Sequence, residues 1–262
     1  MNFTKERFSN YNAYKLPYPI LEISNFLSKE EAKKICDILQ ETNFDELVMG
    51  NRKNIRKGTE IFEKVLKKNK ILKNLYDFFN NQDQFNYLYE KLSLMTKETN
   101  PGFQLPEKPE EFNHHFYAYK STVHKSKITK KLTNFFQKNF LNFFKNFKNF
   151  VFFDLVFAEA GKGYKLKTHK DKPTRLIVFL LYLNDLDRSD GGSLEVYSSN
   201  NDYQPLDVEK KFIPEAGKLL VFLSNPVSFH NVEEIKKESV SRKFVYGSYS
   251  CLKDVIWKKY KN

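Results

Sequence analysis

Residues 163–185 read GYKLKTHKDKPTRLIVFLLYLND. A His, one residue, an Asp and a proline turn precede an apolar run that ends in Tyr-Leu-Asn. His169 and Asp171 thus stand directly ahead of the most hydrophobic segment of the chain. Polar groups in such a place cost free energy unless something binds them. In an extended backbone the two side chains point to the same side, because strand side chains alternate with period two. In the run that follows, Val178, Leu180 and Tyr182 share one face. A phenol on an apolar, inward face requires a partner for its hydroxyl.

The sequence around this stretch has strand texture. From residue 150 onward NFVFFDLVFA, RLIVFLLYLN, GGSLEVYS, GKLLVFLS and RKFVYGSYS follow one another. The turn signals AGKGY, SDGG, PEAG and SNP separate them. Upstream the pattern differs. LPYPILEISNFL, residues 16–27, reads as a short strand entering a turn. Ser28, with Glu31 three residues on, opens a capping box, and Ala32, Ile35, Cys36, Ile38 and Leu39 follow at helical spacing. A helix is expected from about 60 and one or two more over 70–98, with the Pro- and Glu-rich 99–112 as a loop. Over 129–150, Phe136, Phe140, Phe143 and Phe147 form one stripe at i, i+4, i+7 and i+11, the pattern of a helix laid on a sheet. The expected fold class is α+β with a mainly β core, a barrel or sandwich with helices gathered in the N-terminal half. Residues 1–148 would form a strand plus helical region packed on a core of residues 149–262, the two making one integrated domain.

Bulk properties narrow the class. The 262 residues are 40% hydrophobic and 16% aromatic, which suits a folded chain with one sizeable core. No apolar run approaches the roughly 20 residues that span a bilayer. The N-terminus carries no apolar h-region, so no secretory signal is expected. Cys36 and Cys251 lie far apart and form neither a disulfide framework nor a zinc site, which suits a reducing cytoplasm. The net charge of +12 includes eight lysines and no acid between Phe112 and Phe153. Such a run is more often a solvated helix face than a nucleic-acid surface, so nucleic acid is not the favoured partner.

Two further residues complete a chemical pattern. His230 sits in SNPVSFHNV, shortly after the strand GKLLVFLS. With His169 and Asp171 it makes two histidines and one carboxylate, the facial set of non-haem iron(II) oxygenases, which leaves coordination positions open. Arg242 opens the next strand twelve residues on, and a buried arginine there can grip a carboxylate with two parallel hydrogen bonds. Lys243 is the adjacent candidate; strand parity puts Arg242, Phe244, Tyr246 and Ser248 on one face and Lys243 and Val245 on the other.

Residues 150–250 resemble the catalytic core of the 2-oxoglutarate/iron(II)-dependent dioxygenases, in particular the prolyl 4-hydroxylase-like branch. The likeness rests on AGKGYKLKTHKD, on Tyr182 to Asn184, on GGSL, and on His230 to Val232 ahead of the basic residue. LPYPILEISNFLSKEEAKKI is similar to the family's N-terminal strand and helix, whereas residues 43–148 match no known pattern. The resemblance implies a double-stranded β-helix, or jelly roll, with an N-terminal helical layer. It implies Fe(II) on His169, Asp171 and His230, and 2-oxoglutarate held by Arg242 and the Tyr182 hydroxyl. Tyr164 would border cosubstrate or substrate, and Arg175 would contact substrate. O2 would be consumed and ascorbate would support turnover.

The implied activity is hydroxylation of a C–H bond, of a prolyl or other peptidyl residue first, of a free amino acid or small metabolite second. The same iron site serves desaturation. Asp171 argues against a halogenase, which needs that position open for halide, and Ser248 stands where a nucleic-acid demethylase would carry a second arginine. A non-catalytic binding module for an acidic partner would gain nothing from four polar groups in one pocket. A cupin-like enzyme would have no use for Arg242 and Tyr182. His114, His115 and His124, near Glu110 and Glu111, show no ligand spacing and read as ordinary histidines. The sequence fixes no oligomeric state.

Overall fold

The computed structural model describes residues 3–42, 51–99, 103–105, 108–109, 111–112, 150–251, 255 and 257–259. The Phe-striped helix expected over 129–150 falls outside these residues except for Phe150, and so do His114, His115 and His124. In the N-terminal half the elements are β1 (Asn12–Tyr14), β2 (Ile20–Ile23), α1 (Lys29–Gln40), β3 (Arg52–Arg56), α2 (Glu60–Lys68), α3 (Lys70–Phe79) and α4 (Gln82–Thr99). The segment read as a loop contains two short strands, β4 (Phe103–Gln104) and β5 (Glu111–Phe112). Then come β6 (Phe150–Ala160), β7 (Leu166–His169), β8 (Arg175–Tyr182), β9 (Leu194–Ser199), β10 (Pro205–Phe212), β11 (Leu219–Leu223), β12 (His230–Val232), β13 (Arg242–Cys251) and β14 (Lys258–Lys259).

Two antiparallel sheets face each other as a jelly roll. The larger runs β1-β2-β11-β8-β13-β6-β3, with β5 added parallel to β6. The smaller runs β10-β9-β12-β7. β8 lies inside the larger sheet and is covered on both sides. Its Val178, Leu180 and Tyr182 face the smaller sheet, while Ile177, Phe179 and Leu181 face the helices. Burial on both faces is why this strand reads as an unbroken apolar run rather than an alternating one.

The helices cover the outer face of the larger sheet. The capping box of α1 is formed: the Ser28 hydroxyl accepts from the Glu31 amide at 3.2 Å, and the Glu31 carboxylate accepts from the Ser28 amide at 2.9 Å. Its Ala32, Ile35, Cys36 and Leu39 are buried, as the spacing predicts, while Ile38 of the same stripe is half-buried. Phe79, at the end of α3, stacks on Phe179 with ring centroids 4.2 Å apart. Gly247 of β13 makes room for this contact, since a Cβ there would lie 2.0 Å from the Phe179 ring.

The segment after β13 returns to the mouth of the roll. The Cys251 amide donates to the Thr174 carbonyl and the Val255 amide to the Pro173 carbonyl, each at 2.7 Å. The Trp257 indole donates to the Ser224 carbonyl at 3.0 Å, and β14 then pairs with β4.

Candidate active site

His169 and His230 are brought together by strand pairing. β12 lies between β9 and β7, and His230 is the register partner of His169, with a register shift beyond them toward Val232 and Leu166. Their ring centroids are 4.5 Å apart. The turn before β12 is locked by its own polar groups. The Val227 amide donates to the Asn225 side chain at 3.0 Å, and the Ser228 hydroxyl donates to the Asn225 carbonyl at 2.9 Å. This sets the Ser228 carbonyl, which lies 2.9 Å from Nδ1 of His230. Nδ1 of His169 lies 2.7 Å from the Lys167 carbonyl. A carbonyl only accepts, so both histidines carry their proton on Nδ1 and turn Nε2 toward the shared centre. Burial pushes the His230 pKa down, which favours the neutral imidazole that a metal requires.

Asp171 lies just past the end of β7 rather than within it, and still faces the histidines. Its side chain is well buried. Oδ1 pairs with the Arg175 guanidinium and accepts from the Tyr246 hydroxyl at 3.3 Å. Oδ2 is buried, has no hydrogen-bond partner among the described residues, and lies 3.7 Å from Nε2 of His230. One ligand atom each from His169, Asp171 and His230 fall within 4.8 Å of one another. A buried carboxylate oxygen without a donor, facing two imidazole Nε2 atoms, fits a divalent cation held by oxygen and nitrogen.

Arg242 is 1% exposed, one of the largest fully buried side chains in the described core. Its Nη2 donates to the Tyr182 hydroxyl at 3.5 Å, and its Nε has no partner among the described residues. The guanidinium lies over the Phe244 ring, 4.5 Å from the centroid. A cation this deep with so little to bind is placed for an anion. Burial holds the Tyr182 hydroxyl above its usual pKa, opposed by Arg242, so it remains a donor. Lys243 turns away, its amide bonded to the Asn184 side chain at 2.7 Å.

Tyr164 is buried, and its hydroxyl accepts from Arg52 at 3.3 Å. That arginine, on β3, lies over Phe244, the same ring that Arg242 covers. Arg175 lines a cleft of about 350 Å³ that opens beside Asp171. Pro173, Pro226, Val255 and Trp257 supply its apolar walls, and Lys170 stands at its edge. Sequence reasoning did not single out Tyr246, Trp257 or Tyr18. Tyr18 is fully buried, its hydroxyl 3.5 Å from the Phe229 carbonyl, and burial together with the Asp171 charge holds its pKa well above the usual range. Strand parity with Arg242 was the one available signal, and it pointed to Tyr246 alone.

Residues 156–249 match the family model described as the 2OG-Fe(II) oxygenase superfamily. That segment holds His169, Asp171, His230, Arg242 and Tyr182, and over it the resemblance to the 2-oxoglutarate oxygenases holds, in their prolyl hydroxylase-like branch. Among curated proteins, 74 residues are 42% identical to the prolyl 3-hydroxylase OGFOD1 of Mus musculus, covering 28% of this chain and 14% of that protein. Against the Xenopus laevis prolyl 3-hydroxylase OGFOD1 the identity is 35% over 96 residues, 36% of this chain and 19% of the other. The chain therefore spans less than a fifth of the length of these relatives. A solved structure of a Trichoplax adhaerens prolyl hydroxylase in complex with a hypoxia inducible factor peptide aligns with TM-score 0.48 at 15% identity, covering 88% of this chain and 83% of that one.

Proposed function

We propose that this protein is a 2-oxoglutarate- and Fe(II)-dependent dioxygenase that hydroxylates a C–H bond of a prolyl or other peptidyl residue, yielding succinate and CO2. The observation that carries the reading is the donor-free Oδ2 of buried Asp171, facing Nε2 of His230 at 3.7 Å. When bound, Fe(II) with 2-oxoglutarate supplies the activation of O2 that oxidises an unactivated C–H bond. The protein's own residues do the rest. His169, Asp171 and His230 would hold the metal and leave about three of six positions open. Arg242 and the Tyr182 hydroxyl would bind the far carboxylate of 2-oxoglutarate. The apolar lining of the roll, from Val178, Leu180 and Phe222, excludes water around them.

The substrate would enter by the cleft beside Asp171. A pyrrolidine ring suits walls made of Trp257, Val255, Pro173 and Pro226, and the prolyl 3-hydroxylase relatives agree with that choice. Ascorbate would support turnover. Cys36 and Cys251 are buried and not joined in a disulfide, which suits a reducing compartment such as the cytoplasm, and among the described residues no helix is long and apolar enough to cross a membrane.

Succinate release from 2-oxoglutarate with Fe(II), O2 and ascorbate tests the reading. Purified wild type should show slow turnover that His169→Ala abolishes and a proline-containing peptide stimulates. Stimulation by free proline instead would move the substrate to a small molecule. Absence of both turnover and 2-oxoglutarate binding would overturn the enzyme reading and favour a binding module.

A further inference from the structure

Asp171 is gripped from one side only. Oδ1 takes the Arg175 guanidinium and the Tyr246 hydroxyl at 3.3 Å, while Oδ2 faces the histidines without a donor. Tyr246 acts on this carboxylate twice. Its hydroxyl donates to Oδ1, and its ring carries the Arg175 guanidinium, whose central carbon lies 5.1 Å from the ring centroid. Tyr246 is held in turn by β13, where it sits between Val156 of β6 and Leu180 of β8. Four residues earlier the same strand carries Arg242.

The division of labour between the two oxygens matters for the count of coordination positions. A carboxylate can give a metal one oxygen or two. With two histidines and one oxygen, about three of six octahedral positions remain, enough for a chelating 2-oxoacid and O2. A second oxygen from Asp171 would take one of them. Hydrogen-bonded partners around metal ligands set ligand geometry in this way.

We propose that Tyr246 is a positioning residue: its hydroxyl, with the Arg175 guanidinium that its ring supports, keeps Oδ1 of Asp171 off the metal, so that the carboxylate binds through Oδ2 alone and the cosubstrate positions stay open. The inference rests on the oxygenase reading and deepens it. Tyr246 acts through Asp171, the side chain its hydroxyl contacts.

The test compares wild type, Tyr246→Phe and Arg175→Gln as full chains, with the metal alone and then with 2-oxoglutarate. Metal affinity is read by Mn(II) titration, coordination by the visible absorption of the Co(II)-loaded protein, and 2-oxoglutarate affinity in the Mn(II)-loaded state. Tyr246→Phe keeps the ring and removes the hydroxyl. The expected result is an altered Co(II) spectrum and a roughly three- to tenfold loss of 2-oxoglutarate affinity, with no loss of Mn(II) affinity. Arg175→Gln should move the same readouts in the same direction and further. A merely structural role would instead weaken Mn(II) and 2-oxoglutarate binding together and lower the Tm of the metal-free protein, and that pattern would overturn the inference. So would a wild-type spectrum and wild-type 2-oxoglutarate affinity in Tyr246→Phe. A wild-type protein that binds no Mn(II) would bring down the oxygenase reading itself, an outcome distinct from both.

Discussion

Arg242 and Tyr182 meet inside the roll with Nη2 3.5 Å from the phenol oxygen, and Nε of the arginine has no partner among the described residues. The arginine is 1% exposed, so its charge is desolvated with little return. Function and stability therefore oppose each other at this position. Arg242→Met is expected to stabilise the metal-free protein by about 1–4 kcal/mol. The same variant should lose the stabilisation that 2-oxoglutarate gives the metal-loaded wild type, about 2.7 kcal/mol at a hundredfold excess over Kd. Chemical denaturation with and without the ligand measures both; a variant less stable than wild type without ligand would contradict the account.

Trp257 forms one wall of the cleft beside Asp171. Replacing it by Ala removes aromatic area that a bound ring would cover. The expected loss in kcat/KM for a peptide substrate is roughly ten- to a hundredfold. Affinity for 2-oxoglutarate should hold, since the cleft wall and the Arg242 pocket are different surfaces. Equal losses in both would show that the tail supports the whole site rather than the substrate alone.

Lys57 is buried, its ammonium donating to the Phe153 carbonyl at 2.7 Å, and burial pushes its pKa down to about 8. The folded protein sheds this proton near pH 8, while the unfolded chain keeps it to about 10.5. Between those values the unfolded state binds more protons, so rising pH stabilises the fold. The full effect is on the order of 3 kcal/mol. Measured as wild type minus Lys57→Met, which cancels the other lysines, stability should climb across that window and stay flat between pH 6 and 7. A flat difference up to pH 10 would show that Lys57 keeps its charge in the fold.

Gly247 faces the Phe179 ring, and a methyl there would sit 2.0 Å from it. Phe179 is itself stacked on Phe79 and Phe153, so it has little freedom to yield. Gly247→Ala should destabilise by about 1–3 kcal/mol or more. Because Tyr246 is the next residue, 2-oxoglutarate affinity is the second readout. A fully stable Gly247→Ala would mean that the aromatic stack shifts freely.

The parts of the fold that the sequence announced are those whose burial imposes a period. β8 reads as an apolar run because both its faces are covered, and α1 announces itself through its capping box and its stripe of Ala32, Ile35 and Leu39. The polar edge strands were silent. β10, PLDVEKKF, is mostly exposed, and β3, RKNIR, is half-buried with Ile55 its one fully buried residue; backbone pairing to β9 and β6 holds them. Pairing leaves no hydrophobic signature. At the site, His169, Asp171 and His230 were legible from residue type and order, because metal chemistry restricts which side chains can serve. The grip of Tyr246 on Asp171 joins two distant segments, and the return of Trp257 depends on a tail whose path no periodicity encodes. Arg175, expected to meet substrate, lines the cleft while its guanidinium is engaged by Asp171 and the Tyr246 ring.

The segment that carries Val255 and Trp257 follows β13 and is tied down through backbone and indole contacts to Pro173 and Ser224. The chemistry is therefore mounted on the barrel, and a wall of the entrance is hung from an appendage. Such an arrangement lets a lineage exchange one without rebuilding the other. Changes confined to the residues after β13 would reshape that wall while His169, Asp171 and His230 keep their places.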